Sequence, residues 1–186
     1  MKIKNINLTK DEIKNKNIIL ILTSIFILFL GISFFLSDYV TFLESSEIFY
    51  VIMLLYFGAE FTNYLLTRKV TGMHSLYTSL ACIIASFSGI KYINEPSNMV
   101  ISITLIGWII MMVIIKLIRI EDLRNKNNSS VIINIFTMSL FILLAFLVVT
   151  NIMQELSNIN LMLGFYFTVN GILNIIETLG NIKFCK

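Results

Sequence analysis

Six apolar runs of about twenty residues each, separated by short polar islands, constrain this chain more than any other feature. They cover residues 18–37, 48–66, 75–93, 99–118, 131–153 and 160–179. A helix rises about 1.5 Å per residue, so about 20 residues match a hydrocarbon core of about 30 Å. Inside lipid every backbone N–H and C=O must find a partner within the protein, which leaves helices or closed barrels. Barrel strands are about 10 residues long with strict alternation of polar and apolar side chains. The runs here are continuous and about twice that length, so they predict transmembrane helices. Charge is scarce where a soluble domain would need it: 13% of the 186 residues, against roughly 25% in soluble proteins. The predicted fold class is therefore all-α, a polytopic integral membrane protein with six spans.

The positions of the basic residues predict how these spans are threaded. Six spans put both chain ends on one side. That side receives Lys2, Lys4, Lys10, Lys14, Lys16, Arg68, Lys69, Lys116, Arg119, Arg124, Lys126, Lys183 and Lys186, while the other receives only Lys91. Cationic flanks stay in the cytoplasm, so both termini are expected there, in a plasma membrane. A missed or extra helix would scramble this bias. The opposite side carries Asp38, Glu44, Glu47, Glu95 and Glu155, with Tyr39, Phe42, Tyr50 and Tyr92 near its interface. Trp108 falls in mid-span and reads as a packing residue.

The expected organisation is a basic cytoplasmic segment at 1–16, one six-helix membrane domain at 17–180 and a short cytoplasmic tail at 181–186. Thr9 followed by Glu12 fits a capping box, so a helix is expected to start there and run into the first span. Residues 1–16 could lie on the membrane surface as an amphipathic helix, but Ile3, Ile6, Leu8 and Ile13 make only a thin apolar stripe, which favours a plain basic flank. The first run exceeds the 7–15 residues of a signal-peptide core and no small-residue cleavage site follows, so it reads as uncleaved. The linkers are short, which pairs consecutive spans as antiparallel hairpins. Only 119–130 reads as a longer, mobile polar loop.

The spans group as three hairpins, 1–2, 3–4 and 5–6, and small residues recur within them. Gly31, Gly89 and Ala145 take similar places in the odd spans, and Gly58, Gly107 and Gly164 in the even ones. This spacing points to a threefold internal repeat, in which small residues let helix backbones approach closely. Three short hairpins, six spans, both ends cytoplasmic and the glycine-bearing run from Gly164 to Leu173 resemble the HdeD-like acid-resistance membrane proteins. The chain differs from the pattern of those repeats in carrying a single proline, Pro96. The resemblance implies a role in stress tolerance or membrane integrity with no defined chemistry. A six-helix chain of this size also resembles the substrate-binding subunits of energy-coupling-factor vitamin transporters, although its first span lacks an Ala-x-x-x-Ala pair.

Ionisable groups within spans are functional candidates, because a charge at the bilayer centre costs about 2.5–3.5 kcal/mol on insertion scales. Glu60 lies inside the second span, with Asn63 and Tyr64 three and four residues on. Asn170, Asn174 and Glu177 share a stripe of the sixth span, four and three residues apart. Lys116 falls at the depth of Glu177, and Asn134 and Thr137 enter the fifth span from the same side. Glu60, Asn63, Lys116, Asn170, Asn174 and Glu177 thus form a polar layer in the inner half of the membrane. Two readings are open. One is a cytoplasm-facing polar cavity with Glu60 as a proton- or cation-sensitive carboxylate. The other is interhelical hydrogen bonding, with Glu177 and Lys116 paired at the interface.

Nothing in the sequence marks an enzyme. The zincin, nucleophile-elbow, P-loop and dinucleotide signatures are missing, so no catalytic, cofactor or metal residues are expected. Cys82 and Cys185 would lie at different depths and read as unpaired thiols. His74, the single histidine, falls in an inner linker and reads as solvated; the nine methionines read as gap-filling core residues. The expected partner is the lipid bilayer, with a homo-oligomer compatible and no nucleic acid. High Ile, Asn and Lys content suggests an AT-rich, bacterial genome. The threading predicts that a cysteine placed at Arg124 is labelled by membrane-impermeant maleimide only after the cells are opened; labelling in intact cells would overturn it.

Overall fold

In the computed structural model, described over residues 10–37, 45–71, 73–94, 97–125, 129–156 and 158–184, the described residues form six α-helices and no strand. These are α1 (Lys10–Ser37), α2 (Ser45–Thr71), α3 (His74–Asn94), α4 (Asn98–Asn125), α5 (Val131–Met153) and α6 (Ile159–Phe184). Among the described residues, five stretches are long and apolar enough to cross a membrane: Asn17–Leu36, Glu47–Thr67, Asn98–Asn125, Val131–Met153 and Ile159–Asn181. Length and composition therefore make this a multi-pass membrane protein.

Helix α3 carries several hydroxyls, and they are spent locally. Thr78 donates to the His74 carbonyl at 3.1 Å, Ser79 to Leu76 at 2.8 Å, Ser86 to Ile83 at 2.7 Å and Ser88 to Ile84 at 3.2 Å. A hydroxyl turned onto its own backbone needs no water, so such residues are tolerated where solvent is scarce.

Several helices outrun their apolar runs. The first helix begins at Lys10, immediately after Thr9, whose own cap geometry lies outside the described residues. The 119–130 stretch is not simply a loop, because α4 continues to Asn125. Nothing in 119–125 breaks a helix, and Arg124 in the last turn complements the negative end of the helix dipole. Asp122 on this extension also meets His74, which is the first residue of α3 rather than a linker residue; their Nε2–Oδ2 separation is 3.0 Å. At the other chain end α6 runs to Phe184, so most of the expected tail is helical.

Each helix packs on its neighbours in the chain, and α1 packs on α6, so the six close into a ring. Contacts at the two ends fix the alternation. At one end His74 at the start of α3 meets Asp122 late in α4, and Thr137 early in α5 meets Glu177 late in α6. At the opposite end the Asn98 amide at the start of α4 donates to Glu155, just past α5, at 2.8 Å. Packing on both chain neighbours does not single out the three-hairpin grouping.

The α1–α6 closure is the tightest helix contact. A Cβ placed on Gly31 would lie 2.2 Å from the backbone nitrogen of Thr168, and one on Gly171 would lie 2.6 Å from the Cα of Leu28. Gly164 faces Phe34 and Phe35 at 3.1–3.2 Å. These pairings run antiparallel, and the Ser24 and Thr178 hydroxyls, 3.4 Å apart, continue the seam. Gly58 and Gly107 do not share this role, and the surroundings of Gly89 lie outside the described residues. Gly58 and Gly107 have nothing within 4 Å of a would-be Cβ, whereas Ala145 is buried. Similar places in the sequence are thus not similar contacts in space.

The middle of the ring is filled by aromatic rings. Trp108 of α4 is fully buried and meets Tyr56 of α2, Phe141 of α5, and Tyr166 and Phe167 of α6 at centroid distances of 5.4–6.3 Å. Phe34 of α1 stacks on Phe167 at 5.7 Å. Such pairs add about 0.5–1.5 kcal/mol each beyond their burial. The geometry of the seam predicts that Gly171→Val, which drives side-chain atoms into the α1 backbone, destabilises the protein by about 1–3 kcal/mol or more. Gly107→Ala should be neutral or slightly stabilising. Thermal unfolding in detergent reads both.

Candidate functional site

Below the aromatic centre, towards the end where α1 begins and α6 finishes, the ring interior turns polar. The strongest element there is Glu177 of α6. Its side chain is almost fully buried and is shared by three donors from two other helices. The Lys116 ammonium of α4 pairs with Oε1. The Thr137 hydroxyl of α5 donates to the same oxygen at 2.7 Å, and Arg119 Nη1 donates to Oε2 at 3.3 Å. Lys116 Nζ also sits 5.5 Å from the centroid of the Phe141 ring, an electrostatically favourable place for a cation. The expected pairing of Glu177 with Lys116 is present, and the pair is buried inside the ring. Arg119, one turn further along α4, holds the half-exposed position beside it.

The second element is Glu60 of α2. Asn63 Nδ2 lies 3.5 Å from its Oε2 and donates to Ser75 Oγ of α3 at 3.1 Å. Thr67 donates to the Asn63 carbonyl at 2.7 Å. Among the described residues no cation approaches Glu60 within ion-pair distance; Lys116 and Arg119 act on it from further away. Tyr64, one residue past Asn63, is only half-buried.

The third element links α2 to α6. Tyr56, one turn before Glu60, carries its hydroxyl to the Asn170 and Asn174 amides and to the field of Glu60. Yet the Tyr56 hydroxyl and both polar atoms of the Asn170 amide complete no hydrogen bond among the described residues, and both residues are at most 1% exposed. Asn174 is half-buried. Nearby, the Trp108 indole N–H faces the Cys82 thiol of α3. A buried donor or acceptor left without a partner costs about 1–3 kcal/mol, so this group of orphaned atoms calls for a polar occupant.

The six residues expected in the polar layer therefore all fall on one end of the ring. Lys116 and Glu177 meet directly, Glu60 and Asn63 meet directly, and Asn170 and Asn174 gather at Tyr56. Asn134 is buried and reaches Asn181 at 3.0 Å. Sequence reasoning did not include Tyr56, Ser75 or Arg119. Tyr56 was detectable by its spacing of four from Glu60, which puts both on one helix face. Ser75 and Arg119 had no such signal, because their partners lie on other helices. Cys185 lies outside the described residues, and among those described no three His, Cys, Asp or Glu side chains gather as a metal site.

What these features define is a multi-pass membrane protein with a buried, charge-bearing polar layer at one end of a helical ring. Compared with known protein families, characterised proteins and solved structures, the chain matches none.

The Glu177 cluster predicts a thermodynamic pattern. Lys116→Met leaves a buried carboxylate short of its main cation and should cost about 3–5 kcal/mol. Adding Glu177→Leu should recover most of that loss, because the stranded charge is gone. A double-mutant cycle on thermal stability in detergent checks it, and additive losses would contradict it.

Proposed function

We propose that this protein binds a small polar or cationic solute inside the ring, as a small transporter or a substrate-binding subunit of one. The observation that carries this reading is the buried, hydrogen-bond-deficient group of Tyr56 and Asn170 beside the carboxylate of Glu60, which has no ion-pair partner among the described residues. A solute bearing a positive charge and a hydrogen-bonding group would satisfy all three. The aromatic centre around Trp108 closes the ring on one side of this group. On the other side of it lie Lys116 and Arg119. In this reading all six helices cross the plasma membrane, both termini are cytoplasmic, and the site opens to the cytoplasm.

The acid-resistance reading rests on the same carboxylate with a proton as its occupant. The HdeD-like resemblance, the bacterial origin and the threefold repeat belong to this second reading. It makes the protein a stress or membrane-integrity component, not a carrier.

Thermal unfolding in detergent against a panel of inorganic cations, amines and zwitterions separates the two. At 100 times Kd a ligand adds about 2.7 kcal/mol, which corresponds to about 5–10 °C in a chain of this size. The binding reading expects such a shift for at least one cationic solute, and its loss in Glu60→Gln and Asn170→Leu. Absence of any shift across the panel, together with loss of acid tolerance in cells carrying Glu60→Gln, would favour the proton instead.

A further inference from the structure

Four polar atoms at the centre of the ring, the Tyr56 hydroxyl, Trp108 Nε1 and both ends of the Asn170 amide, complete no hydrogen bond among the described residues. Their residues are at most 1% exposed. They lie together. The Tyr56 and Trp108 rings are 6.1 Å apart, and Tyr56 reaches the Asn170 amide. The indole N–H faces Cys82 of α3, a neighbour of both Tyr56 and Glu60.

These groups differ in kind. An indole N–H and an amide nitrogen only donate, whereas a carboxylate and an amide oxygen only accept. A metal cation or a plain amine therefore meets Glu60 and Asn170 Oδ1 but leaves the N–H groups of Trp108 and Asn170 unmatched. A plain anion meets those N–H groups but stands beside the Glu60 carboxylate. A molecule with a cationic N–H end and an acceptor end completes the set. The charge of the layer decides what that acceptor is. Glu60 and Glu177 are balanced by Lys116 and Arg119, so these four ionised groups sum to zero. A lone ammonium leaves one positive charge uncompensated where water is scarce, which is disfavoured. A carboxylate on the same molecule restores the balance.

The walls match this division. On the α2–α3 side stand acceptors, Glu60 and Ser79, whose hydroxyl donates to the Leu76 carbonyl and leaves its oxygen as an acceptor. On the α4–α6 side stand the donors of Trp108 and Asn170. Helix α3 buries small side chains, Ser79, Cys82 and Ser86, and leaves its large ones, Leu80, Ile84 and Phe87, exposed. A wall of small residues suits a solute with a short side chain.

We propose that the solute is a small zwitterion of the amino-acid type, its ammonium against Glu60 and Asn170 Oδ1 and its carboxylate against Trp108 Nε1, Asn170 Nδ2 and the Tyr56 hydroxyl. This rests on solute binding within the ring and narrows the solute from cations at large to molecules without net charge.

Thermal unfolding of the full chain in detergent is followed against glycine, alanine, serine, β-alanine and γ-aminobutyrate, each beside its decarboxylated amine. At least one zwitterion should stabilise the protein at a concentration about tenfold or more below that its amine requires, because hydrogen bonds to a charged group are the strong ones. Trp108→Phe keeps an aromatic ring but loses the N–H, and should weaken the zwitterion by about tenfold while leaving the amine unchanged. Asn170→Asp puts an acceptor where the N–H donors stand, and should reverse the preference so that the amine binds better than the zwitterion. Equal action of amine and zwitterion on the unaltered protein overturns the zwitterion and leaves a cation as the occupant. Absence of stabilisation by either set overturns the zwitterion and the solute together, and leaves water in the group. A zwitterion preference that survives both substitutions also overturns the assignment, since the binding then lies elsewhere.

Discussion

A glycine-floored seam between the first and last helices is what allows six rods to become a ring. Helices in a bilayer gain little from burying apolar surface against one another, since the tails around them are as apolar as they are. Close backbone approach is one of the few sources of attraction left. Gly31 and Gly171 provide it, with separations that no side chain would tolerate. Without that closure, α6 would present Asn170 and Glu177 to lipid. The seam and the polar interior therefore depend on each other: one supplies the enclosure, and the other makes enclosure necessary.

Within the ring the two halves obey different rules. Around Trp108 the interior is close-packed aromatic carbon with stacked and edge-on rings. One to two turns away it becomes a place where charges are paired at close range, Glu177 against Lys116 and Arg119. Charges buried this way survive only with good geometry and full hydrogen bonding. Glu177 meets that condition and Glu60 does not. The two carboxylates sit in one layer with opposite local provision, one matched by two cations and the other without an ion-pair partner among the described residues.

Much of this was legible in the sequence, and the misses have physical causes. The all-helical class and its apolar spans follow from run length alone, and the residues of the polar layer follow from helical spacing: Asn170, Asn174 and Glu177 on one face, Glu60 and Asn63 on another. The depth match between Lys116 and Glu177 came from counting residues inward. Which helix touches which was not legible. Gly58 and Gly164 look alike in a one-dimensional string, yet one opens outward and the other is pressed against Phe34. The 119–125 stretch looks like a loop because it is polar, yet a helix leaving a membrane becomes polar without unwinding, and α4 continues to Asn125. His74 opens α3 rather than a linker, and its contact with Asp122, forty-eight residues away, is one that no local pattern encodes.

The single tryptophan of the chain stands where α2, α4, α5 and α6 converge. Indole emission depends on the polarity and rigidity of its surroundings, and here the ring is shielded from water and touches the aromatic neighbours of Lys116 and Asn170. The molecule therefore contains its own unmixed optical gauge. A shift in colour or lifetime from this one chromophore reports a rearrangement at the heart of the bundle, with no label attached and no second emitter of its kind to confuse the signal.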